Sequence, residues 1–474
     1  MRVSSATLLA CITVAGAALR VAGIGFGLPF QLRIDEEHYQ NAVVRIAETG
    51  SFEPELFAYP ALPWYALDGV LHVAHVAARA VGAGVPESFA EFARDPSIVI
   101  PIQRWIACAF GIATIPLVYA VGCAAASTAA GLVGAAFVAF TFMPVRDSHF
   151  GVVDAPLAFV ATLVLLVALR AGASGRIRDF AVAGALAGIA TAMKYLPAVL
   201  FASIAVAALE VGRRDRVPWP RRLVGPRLVA AAIALVVAFL VGAPYTLLAF
   251  DRFVGGFGAQ VALSKWSGPR PLDALGRIAG ESLPMAVGVA LTALSLVGLF
   301  FALARGPWTR RVVAVGALAY AFALAPATFS FHRYVLPMVP ALLVLAAVAL
   351  VDLLRRFPAR AFAPAAAIAT AALVAAPLAR AIAIDRLFLR ETTVERAAAY
   401  VRERLPAGAV VAVPNEGAEM AFRTLALATW DPPELFRNDE WYALVPRHPI
   451  PSVGADPDGW DDVRRRAAVT KLAE

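Results

Sequence analysis

The sequence predicts an all-α polytopic membrane fold, and three observations carry that expectation. Of 474 residues, 60% are hydrophobic and only 16% charged, whereas soluble domains carry about 25% charged residues. Many apolar stretches reach about 20 residues with few or no charges, the length needed to cross about 30 Å of hydrocarbon. The charged residues gather at the ends of those stretches.

The pattern predicts about eleven spans, near 4–28, 101–124, 127–144, 155–171, 179–193, 196–211, 227–249, 283–304, 312–330, 334–353 and 361–383. The apolar run at the N-terminus is too long for a signal peptide and lacks a clear small-residue cleavage site, so it reads as a retained span. The stretch 179–211 is either one long kinked helix or two spans. Lys194 and Pro197 favour the break, because lysine is costly at mid-membrane and proline removes a backbone donor.

Net charge is +8, but nucleic-acid binding is not the reading. The arginines cluster in short turns at 170–178, 213–222, 305–311 and 355–360, which marks those turns as cytoplasmic. Asp35, Asp154, Lys194 and His332 then share the outer side with residues 384–474, while 251–281 departs mildly from the bias. Cys11, Cys108 and Cys123 lie in or beside apolar spans and form neither a disulfide framework nor a zinc spacing.

These assignments give two parts: a membrane module, 1–383, and a small extracytoplasmic α/β tail, 384–474. Within the module, 29–100 is a long first outer loop. RIDEEHYQNAVVRIAETG has helical spacing ending at Gly50, and LPWYALDGVLHVAHVAARAVG predicts a second helix lying in the interface. On that helix Asp68, His72, His75 and Arg79 form one stripe. A polar interfacial face explains it more cheaply than a metal site. The tail reads as a helix, a Pro-Gly turn and a short strand.

Five constellations point to chemistry at the outer surface. Asp35 and Glu36 stand just beyond the first span, where acids also suit the start of a helix. Asp147 and Asp154 flank DSHFGVVD beside Arg146 and His149; Asp154, with Pro156 in the following turn, also suits a helix start. Lys194 in MKYLP either snorkels or meets an anion such as a phosphate. His332, Arg333 and Tyr334 in FSFHRYVLPMVP either anchor a span at the interface or bind phosphate oxygens. Arg20 lies inside the first span, where it pairs with an acid or lipid phosphate unless that span ends early.

The order of these segments resembles a known family. A first span, the DE-containing outer helix, YPALPWYAL, the QRW opening, HFGVVDAPLAF, GIATAMKYLP and HRYVLPMVP follow one another as in the GT-C membrane glycosyltransferases. The nearest type is family 39, with the dolichyl-phosphate-mannose protein mannosyltransferases and the aminoarabinose transferases of lipid A. The resemblance covers roughly residues 5–350. It implies a GT-C helical bundle with juxtamembrane helices in the first outer loop, and a polyprenyl-phosphate sugar donor. It places the DE motif on Asp35 and Glu36, the second acid on Asp154, the break lysine on Lys194 and the HRY segment on His332, Arg333 and Tyr334. The bulky acceptor domains of some relatives have no counterpart beyond the short tail.

The resulting expectation is a glycosyltransferase of the plasma (inner) membrane. It would move a sugar from a polyprenyl-phosphate donor to a glycan, lipid or protein acceptor, with inversion and with Asp35 as general base. Lys194, Arg333, His332, Tyr334 and Arg20 would bind the donor phosphate. Glu36 and Asp154 would orient the acceptor, or with Asp35 hold a divalent ion such as magnesium or manganese. The rivals are a flippase or transporter, which would place its charges near the midplane on repeated halves, and a non-catalytic subunit of an envelope-assembly complex.

Overall fold

The structure, a computed structural model, describes residues 4–28, 34–54, 57–263, 271–326, 332–404 and the strand residues 410–411 and 428–429. By internal contacts the chain divides into two units: Met1–Ile24 with His38–Leu389, and Gly25–Glu37 with Arg390–Glu474.

The first unit is helical. After α1 (Ser5–Val21) come α2 (Ile34–Thr49), whose first turn belongs to the second unit, α3 (Leu62–Ala80) and α4 (Phe89–Arg94). Next come α5 (Pro96–Ala125), α6 (Thr128–Phe140), α7 (Phe142–Arg146), α8 (Asp154–Ser174) and α9 (Ile177–Met193). A 3-10 turn at Leu196–Leu200 leads into α10 (Phe201–Arg214), followed by α11 (Trp219–Leu223) and α12 (Pro226–Gly242). The segments α13 (Tyr245–Leu248), α14 (Phe250–Leu263) and α15 (Pro271–Arg277) precede α16 (Leu283–Val287), α17 (Val289–Ala304) and α18 (Trp308–Leu324). A 3-10 turn at His332–Met338 opens α19 (Val339–Leu354), and α20 (Ala359–Phe388) closes the unit.

Six of these helical segments are long and apolar enough to cross a membrane, or seven if the pair Thr128–Phe140 and Phe142–His149, bent by 62°, counts as one span. Several of the eleven stretches expected from sequence are shorter or broken. The break at Lys194 is present: α9 ends at Met193, and Lys194 adopts an extended backbone at φ −150°, ψ 148°. The α20 helix runs through position 388, so the module boundary expected at 383 falls inside a continuous helix.

The chain is a membrane protein by the disposition of its apolar surface. On α12, Ile233, Val236, Val237 and Val241 are exposed, a row of side chains that water would penalise and lipid would not. By contrast the segment His332–Leu354, which ends in α19, has 89% of its apolar window buried. Small residues let the helices close up. A Cβ at Gly184 or Gly188 would run into the α12 backbone at Ala231 or Leu235, the close-packed geometry of lipid-embedded helix pairs.

The helices α8 and α9 form an antiparallel hairpin. Its turn uses Gly175 at φ +68°, the left-handed conformation that only glycine adopts without cost. Asp154 and Lys194 therefore stand together at the open end, and the turn's Arg176 and Arg178 stand at the other.

The polar stripe of α3 finds partners within the chain. His72 Nδ1 contacts the Asp68 carboxylate at 3.4 Å, His75 hydrogen-bonds the Pro86 carbonyl at 2.8 Å, and Arg79 donates to the Glu87 carbonyl at 3.0 Å. The opposite face leaves Val70, Val73 and Val76 exposed.

In the second unit, α21 (Thr393–Arg404) opens with a reciprocal cap. The Thr392 N–H donates to the Glu395 carboxylate at 2.5 Å, and the Glu395 N–H donates to Thr392 Oγ1 at 3.2 Å. Strands β1 (Val410–Val411) and β2 (Ala428–Thr429) pair in parallel. The predicted Pro-Gly turn of the tail lies outside the described residues.

Candidate functional site

Three segments far apart in sequence bring their charges to one place. Asp154 is the first residue of α8, where the helix dipole favours a carboxylate. Lys194 caps the C-terminus of α9, where the dipole favours a cation. Arg333 is held by the 3-10 turn that opens α19. Lys194 Nζ lies 2.5 Å from Asp154 Oδ1, and Arg333 Nε lies 3.6 Å from Asp154 Oδ2. The Asp154 side chain is only 4% exposed, against 14% for Lys194 and 17% for Arg333. The acid is therefore the most buried of the three, and of the two cations Lys194 lines the cavity that opens beside them.

Above them opens a cavity of about 420 Å³. Its polar edge is Asp154, Lys194, Tyr59, Tyr195, Tyr320 and Tyr334; Leu196, Val199, Phe257, Val261 and Leu324 make its apolar wall. The Lys194 ammonium stands 5.1 Å from the Tyr334 ring centroid and 6.0 Å from that of Tyr59, so aromatic faces share in holding it. Tyr195 donates to the Phe57 carbonyl at 3.2 Å and packs edge-on against Phe257, with centroids 5.1 Å apart. That contact ties α14 to the break after α9.

Two cations, Lys194 and Arg333, thus bear on the Asp154 carboxylate, and Lys194 lines the cavity. An ammonium on a largely apolar cavity is a place where an entering anion meets positive charge. Among the described residues no group of three or more His, Cys, Asp or Glu side chains could hold a metal ion.

The other predicted residues are placed as follows. His332 Nδ1 hydrogen-bonds Ser282 Oγ at 3.2 Å. The Asp147 carboxylate is gripped by the adjacent Arg146 guanidinium at 2.9–3.1 Å. Arg20 is buried, and its terminal nitrogens donate to the carbonyls of Gly16, Ala139 and Val138 at 2.9–3.1 Å. Those donors are committed to the main chain rather than to the cavity. Asp35 and Glu36 open α2 in the second unit, with Asp35 half-buried and Glu36 buried.

Tyr59, Tyr320, Phe257 and Gln260 line the cavity but were not singled out from sequence. The tyrosine of YPALP stands beside a proline in a loop otherwise committed to apolar packing, and that was the available signal for Tyr59. Nothing distinguishes Tyr320 from a core aromatic in an alanine-rich helix.

Comparison with known proteins bears on the same segments. A family model described as Dolichyl-phosphate-mannose-protein mannosyltransferase matches residues 101–242, the stretch from α5 through α12 that supplies Asp154 and Lys194. No curated protein matches the sequence. Among solved structures, the chain is similar to ArnT from Cupriavidus metallidurans bound to undecaprenyl phosphate. Identity is 16% and the TM-score 0.54, covering 90% of this chain and 85% of that one. It is similar also to the archaeal oligosaccharyltransferase AglB from Archaeoglobus fulgidus in complex with an inhibitory peptide and a dolichol-phosphate. Identity there is 14% and the TM-score 0.52, covering 90% of this chain and 60% of that one. A further structure of the Archaeoglobus oligosaccharyltransferase, with Zn and sulfate, gives 15% identity and a TM-score of 0.50 over 84% of this chain and 55% of that one. The chain thus spans 55 to 60% of the oligosaccharyltransferase's length. What is shared at these identities is the fold, a helical membrane architecture of the GT-C type.

Proposed function

We propose that this chain is a membrane glycosyltransferase that moves a sugar from a polyprenyl-phosphate donor to an acceptor at the outer face of the plasma (inner) membrane. The observation that carries this reading is the Asp154–Lys194–Arg333 cluster, whose Lys194 ammonium lines an apolar-walled cavity among membrane helices. A lipid-linked phosphate needs that pairing of a cationic spot and an apolar approach. Its support from outside is the shared fold with ArnT and AglB, whose structures contain undecaprenyl phosphate and dolichol-phosphate.

The chemistry follows from charge. An acceptor hydroxyl or amine attacks the anomeric carbon, and the bond from that carbon to the phosphate oxygen breaks. A phosphodiester with one negative charge becomes a monoester approaching two. Lys194 and Arg333 meet the charge that develops, which is the interaction that speeds a reaction rather than merely tightening binding. Tyr334 and Tyr59 hold the ammonium, and Asp154 fixes both cations in advance. His332 is the neighbouring donor on the same turn. Asp35 takes the acceptor's proton and Glu36 orients the acceptor, roles carried over from the family resemblance. A single displacement inverts the anomeric centre. No step is assigned to a metal. The arginine-rich turns at the opposite end of the α8–α9 hairpin support an outward-facing cavity.

The test is transfer of labelled sugar from polyprenyl phosphates by the purified full chain to acceptors in an envelope extract. Asp35→Asn is expected to lower turnover at least 100-fold, the scale of a general base, with protein yield unchanged. Near-normal turnover in that variant would remove the base. Donor lipid translocated intact, with no transfer to any acceptor, would overturn the reading in favour of a transporter.

A further inference from the structure

The proposed chemistry leaves unused a buried charged group on the far side of the loop that delivers Asp154. Arg20 on α1, His149 and Asp385 on α20 are all buried, though each sits in a segment where an ionised side chain is costly. Their contacts converge on one stretch of backbone, residues 138–153.

The geometry points to Arg20, with His149 and Asp385, as positioning residues for Asp154; this rests on the reading of Asp154 as part of the site. The α6 helix ends at Phe140 and the chain turns by 62° into α7. A helix leaves its last carbonyls without backbone donors, and inside a membrane such groups need another partner. Arg20 supplies it, donating to Val138 at 2.9 Å and Ala139 at 3.1 Å across 118 and 119 residues of sequence. Its charge also stands at the negative end of the helix.

His149 extends the brace to the other end of the bend. Its Nδ1 meets the Val145 carbonyl at 3.0 Å and its Nε2 the Ala22 carbonyl at 2.9 Å, so one ring links the loop to the end of α1. Asp385 stands 3.7 Å from His149 Nε2. Among the described residues neither Asp385 oxygen, nor Arg20 Nε, has a hydrogen-bond partner. Asp385 therefore joins the group by its place beside the imidazole, closing it from the α20 side. The Phe388 ring, one turn further along α20, packs against His149 and Phe150 with centroids 4.9 and 5.9 Å away. The loop is thus held from α1 and α20, and its last link before α8 leads straight to Asp154.

The experiment compares Arg20→Met, Arg20→Lys and wild type as the full chain in detergent, by hydrogen–deuterium exchange and by transfer kinetics. In Arg20→Met, exchange across residues 142–154 is expected to quicken at least tenfold while 160–174 stays unchanged. In the same variant kcat should fall at least tenfold with KM for the donor lipid within about twofold of wild type, and Arg20→Lys should recover part of both. Unchanged exchange in Arg20→Met overturns the proposal. So does a raised KM with unchanged kcat, which would make Arg20 a ligand of the donor phosphate. If Arg20→Met does not fold, Asp385→Asn is read by the same exchange measurement, with acceleration confined to 147–154 supporting the proposal and none overturning it. Should the wild type transfer no sugar at all, the glycosyltransferase reading fails by itself, and exchange still decides whether Arg20 braces the loop.

Discussion

Lys194→Met is the sharpest perturbation this site allows, because methionine keeps most of the side-chain volume and removes the charge. Two effects separate. For stability, the change leaves Asp154, whose side chain is 4% exposed, with the Arg333 guanidinium at 3.6 Å and no ammonium at 2.5 Å. Breaking a buried pair costs about 3–5 kcal/mol, and the remaining arginine puts the expectation near the low end, ~3 kcal/mol. For turnover, a unit charge about 4 Å from a phosphate is worth about 4 kcal/mol at an effective dielectric of about 20. Charge half-developed in the transition state therefore draws ~2 kcal/mol from Lys194, and a fully developed one ~4 kcal/mol. At about 1.4 kcal/mol per tenfold, kcat should fall roughly 30- to 1,000-fold. The double variant Lys194→Met/Asp154→Asn removes both charges, so the thermal midpoint should recover while turnover does not. The assay is labelled-sugar transfer together with thermal unfolding in the same detergent. A folded Lys194→Met protein working within threefold of wild type would refute the electrostatic argument, and so would a double variant that regains turnover.

Three further outcomes follow from other parts of the structure. At Tyr334, whose ring centroid is 5.1 Å from the Lys194 ammonium, Phe should be mild and Leu should weaken donor binding roughly 2- to 30-fold, the range of about 0.5–2 kcal/mol for a cation over a ring; equal effects would mean that the ring face does not matter. Gly184→Val should lower the thermal midpoint, since even a Cβ there meets the Ala231 backbone, and overpacking costs about 1–3 kcal/mol; an unchanged midpoint would show that α9 and α12 can part freely. Asp68, on α3 outside the spans, has its carboxyl pushed above the ordinary range by burial, partly opposed by His72. A raised carboxyl pKa means stability is fully present below the unfolded-state value, about 3.9, and is lost as pH rises through the folded-state value. Asp68→Asn should flatten that acid-side slope of the thermal midpoint, and an identical slope in the variant would discard the assignment.

The membrane architecture was legible because it rests on composition along short stretches. Apolar runs separated by arginine-rich turns need only local reading, and the break at Lys194 announced itself through a lysine and a proline in an otherwise apolar stretch. Asp154, Lys194 and Arg333 were legible as charges too costly to leave without purpose near lipid. What local reading could not supply was who their partners are. Arg20 looked like a phosphate ligand because no acid lies near it in sequence, yet two of its three acceptors are carbonyls more than a hundred residues away and the third is the Gly16 carbonyl one turn back. The 62° bend after Phe140 was read as one short span, since Thr141 carries no proline or glycine to mark a break. Tyr320 was invisible for the same reason as any buried aromatic: only the fold tells a cavity wall from a core.

The hairpin of α8 and α9 has a consequence for how this protein can vary. Its 21- and 17-residue arms, at 1.5 Å per residue, set the Gly175 bend about 25–30 Å from the ionic clasp between their tips. An insertion or charge change at the bend is absorbed by solvent-facing turns and arrives at the clasp only as a tilt of two stiff rods. Mutational tolerance should therefore be steeply graded along these rods, permissive at the bend and strict within the last turn on either arm.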